Sequence, residues 1–365
     1  MQETPLHGTH VGLGARMMEF AGFDMPVHYG SIIEEHHAVR KAAGMFDVSH
    51  MGEVWVTGPH AAAFIQNLVT NDVNQLDDGR AMYTVMCRPD GGIVDDLLVY
   101  RLKEGVYMLV INASNIATDI AWMEANNAVG ATLGDYSDQM SLIAVQGPAA
   151  FDIVSEVAGK DLSDLPFYRF LQPEPGEFLG ADKIILSHTG YTGEPGLEIY
   201  CESERAVEIW NAVSAAGQSR GLRPAGLGCR DTLRLEAGYC LYGNDLNGDT
   251  HPLEAGLSWL VKLDAGDFVG RDALLAAKEA GLSRRLVAFV VEGRGIPRAG
   301  CDIVNDAGEV IGNVTSGTQS PTLGQGIGMG YVRNEPEYRK PGSAIGIQVR
   351  SRVLPAVVKK APLHK

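Results

Sequence analysis

The chain has 365 residues, 45% of them hydrophobic and 21% charged, with a formal net charge of −15. That length outgrows a single core, so two or three domains are expected, and 44 glycines favour turns and short strands over long helices. The acidic balance and the lack of a basic run exclude nucleic acid as a partner, and no apolar run approaches the roughly 18 residues of a helical membrane span.

The first nine residues carry neither the basic nor the apolar region of a leader. Cys87, Cys201, Cys229, Cys240 and Cys301 form no C-x-x-C pair, and an odd set of this kind fits reduced thiols. A cytoplasmic location is the expectation, or the mitochondrial matrix in a eukaryote.

In chain order, a first helix is predicted from Ser31 to about Ala43. Ser31 serves as its cap, Glu34 completes a capping box, and Gly44 takes the C′ position. A strand follows at 53–57, then Gly58–Pro59 opens a helix to about Val69. Met82–Cys87 and Ile93–Arg101 read as strands joined by the hairpin turn Pro89–Asp90–Gly91–Gly92, its glycines serving positive-φ positions, with Tyr107–Asn112 as a third strand. A short helix is expected near 117–126. The pattern of strand, Gly-Pro and apolar helix recurs at 142–157, a weak repeat that suggests two related α+β units. After residue 283, runs such as Leu286–Val291, Glu309–Thr315 and Ala344–Val349 predict a separate all-β domain, a small barrel or jelly roll.

Three places attract attention as chemistry. Asp95–Asp96 follows the Gly-Gly turn inside an apolar strand, and alternation sends one carboxylate toward solvent or a neighbour and the other, Asp96, to an apolar face with Leu98 and Tyr100. One of them then needs a partner or a ligand, unless both simply end a solvated hairpin. The run Ser187–Tyr200, S-H-T-G-Y-T-G-E-P-G-L-E-I-Y, takes a Gly-rich loop into a strand with Leu197 and Ile199 on one face and Glu198 and Tyr200 on the other. Glu198 is either a buried acceptor or an ordinary solvated edge residue. Gly226–Leu227–Gly228 leads into a helix carrying Arg230 and Arg234 one turn apart, which suits an anion at the helix start or else a surface helix patterned with Glu236. Glu34–Glu35–His36–His37 lacks metal-site spacing and reads as structural or solvated, and His50 and His188 read as structural. No metal is expected.

Taken together, these stretches resemble one family. The segments P-V-H-Y-G at 26–30, E-E-H-H-A-V-R-K-A-A-G-M-F-D-V-S-H-M at 34–51, G-G-I-V-D-D-L-L-V-Y at 91–100, V-Q-G-P at 145–148, G-Y-T-G-E-P-G-L-E-I at 190–199, G-L-G-C-R-D-T-L-R-L-E-A-G-Y-C-L-Y-G-N-D at 226–245 and V-T-S-G-T-Q-S-P-T-L-G-Q-G-I-G-M-G-Y-V at 314–332 are similar to the aminomethyltransferases, the T-proteins of the glycine cleavage system. They stand in the family's order and span almost the whole chain.

The resemblance implies an α+β, three-domain cloverleaf around a folate site. Two α+β domains are built on antiparallel sheets, one from 1–52 with 140–250 and one from 53–139 with the catalytic hairpin. A linker at 251–283 then leads to the C-terminal all-β barrel or jelly roll at 284–365. It implies tetrahydrofolate as co-substrate, the lipoylated H-protein as carrier, and a monomer. Its functional aspartate falls on Asp96, its pterin-holding glutamate on Glu198 and its folate-binding arginine on Arg230. Met51, Tyr83, Leu98, Tyr100, Val110, Asn112 and Tyr191 fall where the family lines its cavity. A C-terminal folate contact has no clear counterpart, with Lys359 and Lys360 the candidates for a folate tail, and Cys229 replaces a small residue.

The rivals are a folate-dependent demethylase of the same fold and a non-enzymatic folate-binding relative. The flavin-fused members carry a dinucleotide-binding domain for which this chain has no fingerprint, and the demethylases usually lack the combined D-V-S-H-M and V-D-D-L pattern. The non-enzymatic relatives carry a K-G-C-Y-x-G-Q-E motif, absent at 234–245.

Overall fold

A computed structural model of the protein describes residues 1–365. The chain forms two compact units: unit 1 is Met1–Phe64, Asn74–Met82 and Leu97–Asp231, and unit 2 is Ile65–Val73, Tyr83–Asp96 and Thr232–Lys365. No helix is long and apolar enough to cross a membrane.

Unit 1 is built on a six-stranded sheet in the order Phe170–Leu171, Ile185–Ser187, Gly196–Glu202, Met140–Gln146, Ala43–Asp47, Leu222–Pro224. All its pairs are antiparallel except the last, Leu222–Pro224 on Ala43–Asp47, which is parallel. Alternation gives each strand a core face and a second face. Met45, Ile143, Val145, Leu186, Leu197, Ile199 and Cys201 join the main core with Ile153 and Val154 of helix Ala150–Ala158 and Ile209, Trp210 and Val213 of helix Ala206–Gly217. The opposite face therefore presents the partners of the other parity, Glu198 and Tyr200 among them. A separate hairpin pairs Arg16–Phe20 with Phe23–His28.

A second sheet runs in the order Arg80–Cys87, Ile93–Lys103, Val106–Ile111, Gly52–Thr57, Thr132–Asp135. Leu98 pairs with Val110, and Val110 with Glu53, so these three share one face in a lateral row. In unit 2 the six strands Arg284–Val291, Asp302–Val304, Val310–Gln319, Gly326–Arg333, Ala344–Val349 and Arg352–Lys359 close a barrel, which decides between the two all-β forms expected. Its interior is packed by Phe289, Ile303, Val314, Val332 and Ile347, with no side chain possible at Gly312, where a Cβ would lie 1.9 Å from the Tyr331 carbonyl oxygen.

The first predicted helix forms at Ile32–Lys41, with the Ser31 side chain accepting from the Glu34 N–H at 3.3 Å as the capping signal requires. Its end differs from expectation. Gly44 is no C′ residue but lies inside strand Ala43–Asp47, packed so that a Cβ would come within 2.4 Å of Val39 Cγ2. The glycine is there for a close helix–strand approach, not for a left-handed cap. The strand, Gly-Pro, helix pattern recurs as read: Gly52–Thr57 and Met140–Gln146 each run through Gly-Pro into the helices Ala61–Leu68 and Ala150–Ala158, although they belong to different sheets.

Candidate active site

Strand Gly196–Glu202 places Glu198 on the face away from the core, beside Ser187 and Ala144 on its two neighbours. Glu198 is 6% exposed, which overturns a solvated edge role. The Thr189 hydroxyl donates to Glu198 Oε2 at 2.5 Å. A hydroxyl has one proton, so Ser187 in turn donates to Thr189, at 2.9 Å. The Tyr100 hydroxyl completes the cluster, 3.2 Å from Ser187 Oγ, 3.1 Å from Thr189 Oγ1 and 3.0 Å from the Tyr200 hydroxyl. Both tyrosines are fully buried, and desolvation raises their pKa values, so they stay neutral. Glu198 thus stands on a buried platform of neutral hydroxyls. Thr189 occupies one acceptor position of a group that offers about four, which leaves capacity for ligand donors.

Burial pushes the Glu198 carboxyl up from its ordinary range, while Thr189 and the Arg230 charge pull it back. Desolvation pushes Arg230 down from its usual value and the Glu198 charge opposes that, so each supports the charged form of the other. Arg230 lies in the first turn of helix Leu227–Ala237, with its guanidinium 4.7 Å above the centre of the Tyr191 ring. The loop carrying Tyr191 is pinned from three sides. Gln146 Nε2 donates to the Thr189 carbonyl at 3.1 Å, Thr192 donates to Gln146 Oε1 at 2.9 Å, and Arg40 bonds the Thr192 carbonyl and Glu194. Gly190 lets the loop pack closely on Gln146: a Cβ there would sit 2.0 Å from Gln146 Oε1 and displace the amide that holds the loop.

Met51, Leu98, Val110, Asn112 and Tyr191 also belong to unit 1. Val110 is 4% exposed and the other four are half-buried. His50, next to Met51, is buried with Nδ1 unbonded, and desolvation with the Arg230 charge holds its pKa down to about 4. It is a neutral imidazole at physiological pH.

In unit 2 the Tyr83 hydroxyl donates to Asp96 Oδ2 at 2.7 Å, across the hairpin. The turn forms, with Asp90 accepting the Gly92 N–H at 3.0 Å, but only Gly91 takes the positive φ expected of both glycines, 86°; Gly92 is needed instead for a close approach, since a Cβ there would meet the Gly248 carbonyl oxygen at 2.2 Å. The burial of the acid pair is the reverse of the expectation. Asp95 is the fully buried carboxylate and Asp96 the half-buried one. Strand Ile93–Lys103 turns Asp95 inward in step with Ile93 and Leu97, so the face of Asp96 is the more open of the two.

Arg234 is not an anion ligand on a surface helix. It is 1% exposed and bonds Asp245 Oδ2 at 2.7 Å, Ser316 Oγ at 2.9 Å and the Tyr239 carbonyl at 3.1 Å. Glu236 is equally internal, accepting from Ser320, Thr322 Oγ1 and Thr322 N–H. His188 is structural, bonded to the Leu165 carbonyl at 2.8 Å. Lys359 ends the last barrel strand, and Lys360 follows it. Sequence reasoning passed over Ser187, Thr189 and Gln146 as functional support. Their only signal was hydroxyl and amide residues bordering the Gly-rich loop.

The description "GCVT N-terminal domain" fits residues 6–265, and "Glycine cleavage T-protein C-terminal barrel domain" fits residues 284–365. The aminomethyltransferase of Halothermothrix orenii is 52% identical over 362 residues, covering 99% of each chain. That of Phocaeicola vulgatus is 50% identical over the full length of both. A crystal structure of the glycine cleavage system aminomethyltransferase T from Bartonella henselae superposes with a TM-score of 0.91 at 33% identity, covering 99% of this chain and 98% of that one. The chain belongs to the glycine cleavage T-protein family of aminomethyltransferases.

Proposed function

We propose that the protein releases ammonia from an aminomethyl group borne on the lipoyl arm of the H-protein and passes the methylene to tetrahydrofolate. The products are 5,10-methylenetetrahydrofolate, ammonia and the dihydrolipoyl carrier. Tetrahydrofolate supplies N5 as the nucleophile and N10 to close the bridge. Glu198 accepts two parallel hydrogen bonds from a ring N–H and the adjacent amino group of the pterin. The acceptor fits: one oxygen of this buried carboxylate takes the Thr189 hydroxyl, and its remaining lone pairs suit an edge that offers only donors. Arg230 supplies local positive charge within a chain of net charge −15. Met51, Leu98, Tyr100, Val110, Asn112 and Tyr191 shape the folate cavity.

Asp96 holds, and in part takes up, the N10 proton while N5 meets the iminium carbon. Tyr83 fixes the Asp96 carboxylate for that work and itself lines the cavity. Positioning and charge stabilisation account for most of the rate. The same reading keeps the three-domain division of the sequence, a cytoplasmic setting, a monomer, and chemistry without a metal.

The observation that carries this reading is the buried Glu198 carboxylate beside Arg230, in a chain matched end to end by aminomethyltransferases. Its test is ammonia release from aminomethyl-loaded H-protein, with and without tetrahydrofolate. Folate-dependent release with 5,10-methylenetetrahydrofolate appearing in step is the expected result. Folate binding without release would overturn it in favour of a demethylase or a non-enzymatic folate protein.

A further inference from the structure

The start of the Arg230 helix is held by a side chain from another helix. Glu35, in Ile32–Lys41, is 4% exposed, and both its carboxylate oxygens accept from backbone amides. The Tyr29 N–H donates to Oε1 at 2.6 Å and the Gly226 N–H to Oε2 at 3.0 Å. Desolvation pushes the Glu35 pKa up and these two donors pull it back. Bonds from amides to an ionised carboxylate are of the stronger kind. The two bonded segments approach closely: a Cβ on Gly226 would lie 2.3 Å from the Val27 carbonyl oxygen and 2.7 Å from the His28 nitrogen.

Gly226 is also where Arg230 is hung. The Gly226 carbonyl accepts the Arg230 N–H at 3.0 Å, one of the first bonds of the helix. A short chain therefore runs from the Glu35 carboxylate through Gly226 to Arg230, whose guanidinium lies 4.7 Å over Tyr191. The other anchor is fixed as well. The Tyr29 hydroxyl is 2.8 Å from His10 Nδ1, His10 Nε2 is 2.8 Å from Asp47 Oδ2, and Thr4 donates to the same oxygen at 2.6 Å.

We propose that Glu35 is a positioning residue: by bridging the Tyr29 and Gly226 amides it fixes the helical turn that sets Arg230 over Tyr191, and so governs folate affinity without touching folate. The proposal rests on the folate role of Arg230 given above. Loss of the carboxylate frees both amides, the turn relaxes, and the ligand must then order Arg230 on binding.

The test is a double-mutant cycle on tetrahydrofolate binding and on kcat, with Glu35→Ala, Arg230→Ala and the double variant. Glu35→Ala is expected to raise Kd about tenfold, the scale of a lost charge-assisted bond, and to leave kcat at saturating folate within about twofold. The double variant should bind no more weakly than Arg230→Ala alone. Glu35→Gln, which keeps one acceptor oxygen, should fall between Glu35→Ala and wild type, and it replaces Glu35→Ala in the cycle if that variant does not fold. A wild-type Kd for the Glu35 variants, or an effect that adds in full to Arg230→Ala, would overturn the positioning role while leaving Arg230 as a folate ligand. A wild-type Kd for Arg230→Ala would instead overturn the folate role of Arg230, and the positioning role with it. A merely structural Glu35 would lower Tm equally in both backgrounds and give no coupling in Kd.

Discussion

Glu198 and Asp96 both lie in β-strands among apolar neighbours, yet their surroundings differ. Glu198 is buried on a platform of neutral hydroxyls with a guanidinium charge nearby. Asp96 lies on the more open face of its strand and takes a hydrogen bond from Tyr83. A buried carboxylate with one fixed hydroxyl donor and acceptor positions to spare suits ligand recognition, because leaving those positions unpaired away from water is costly. This contrast is in keeping with the proposed division, binding at Glu198 and chemistry at Asp96.

The largest expected effect separates the two roles. Asp96→Asn should lower kcat by about 100-fold or more, the range of general acid–base work, with folding and folate Kd unchanged. Steady-state kinetics beside a binding isotherm checks it, and near-wild-type turnover would break the assignment. Glu198→Gln should do the converse. Loss of hydrogen bonds to a charged group, about 1.5–3 kcal/mol, raises the folate Kd by roughly 10- to 100-fold.

The pH dependence sharpens the same contrast. Burial raises the Glu198 pKa, so its charged form is lost at a higher pH than for an ordinary glutamate. Folate affinity should weaken as pH falls toward that point, and the Glu198→Gln protein, measured over the same range, should lack that limb. Tyr83→Phe comes next: removing the donor to Asp96 should cost about 1 kcal/mol, a several-fold loss in kcat with little change in Kd. Thr189→Val should be smallest, a few-fold rise in Kd with kcat intact, since other hydroxyls of the platform remain. If Thr189→Val lowered kcat more than Tyr83→Phe, the division between the two acids would be wrong.

Some of this was legible in the residues. Alternation alone put Leu197 and Ile199 on one face, which proves to be the core face, and Glu198 and Tyr200 on the other, because strand parity is a local property. The β texture after residue 283 announced an all-β domain but not which kind, since closure into a barrel depends on the pairing of Arg284–Val291 with Arg352–Lys359, far apart in sequence. Other features were not legible. Arg230 and Arg234 are one helical turn apart and chemically alike, yet Arg234 is consumed by Asp245 and Ser316. Only tertiary contacts tell which of two such arginines is held by the protein's own acids. Leu98 and Tyr100 pointed to Asp96 as the deeper acid, yet both faces of that strand carry apolar residues and the one with Ile93 and Leu97 is packed inward, which parity alone does not rank. Gly44 misled for a related reason: a glycine near a helix end serves either a left-handed cap or a close contact, and the neighbour that decides, Val39 against strand Ala43–Asp47, is set by packing.

The most direct test is a pair of tetrahydrofolate binding isotherms, for Asp96→Asn and for Glu198→Gln, set against wild type. The Asp96→Asn curve should overlie wild type while its turnover collapses, and the Glu198→Gln curve should shift by about tenfold or more. Equal shifts for the two variants, or no shift for Glu198→Gln, would contradict the division of binding and chemistry between these two carboxylates.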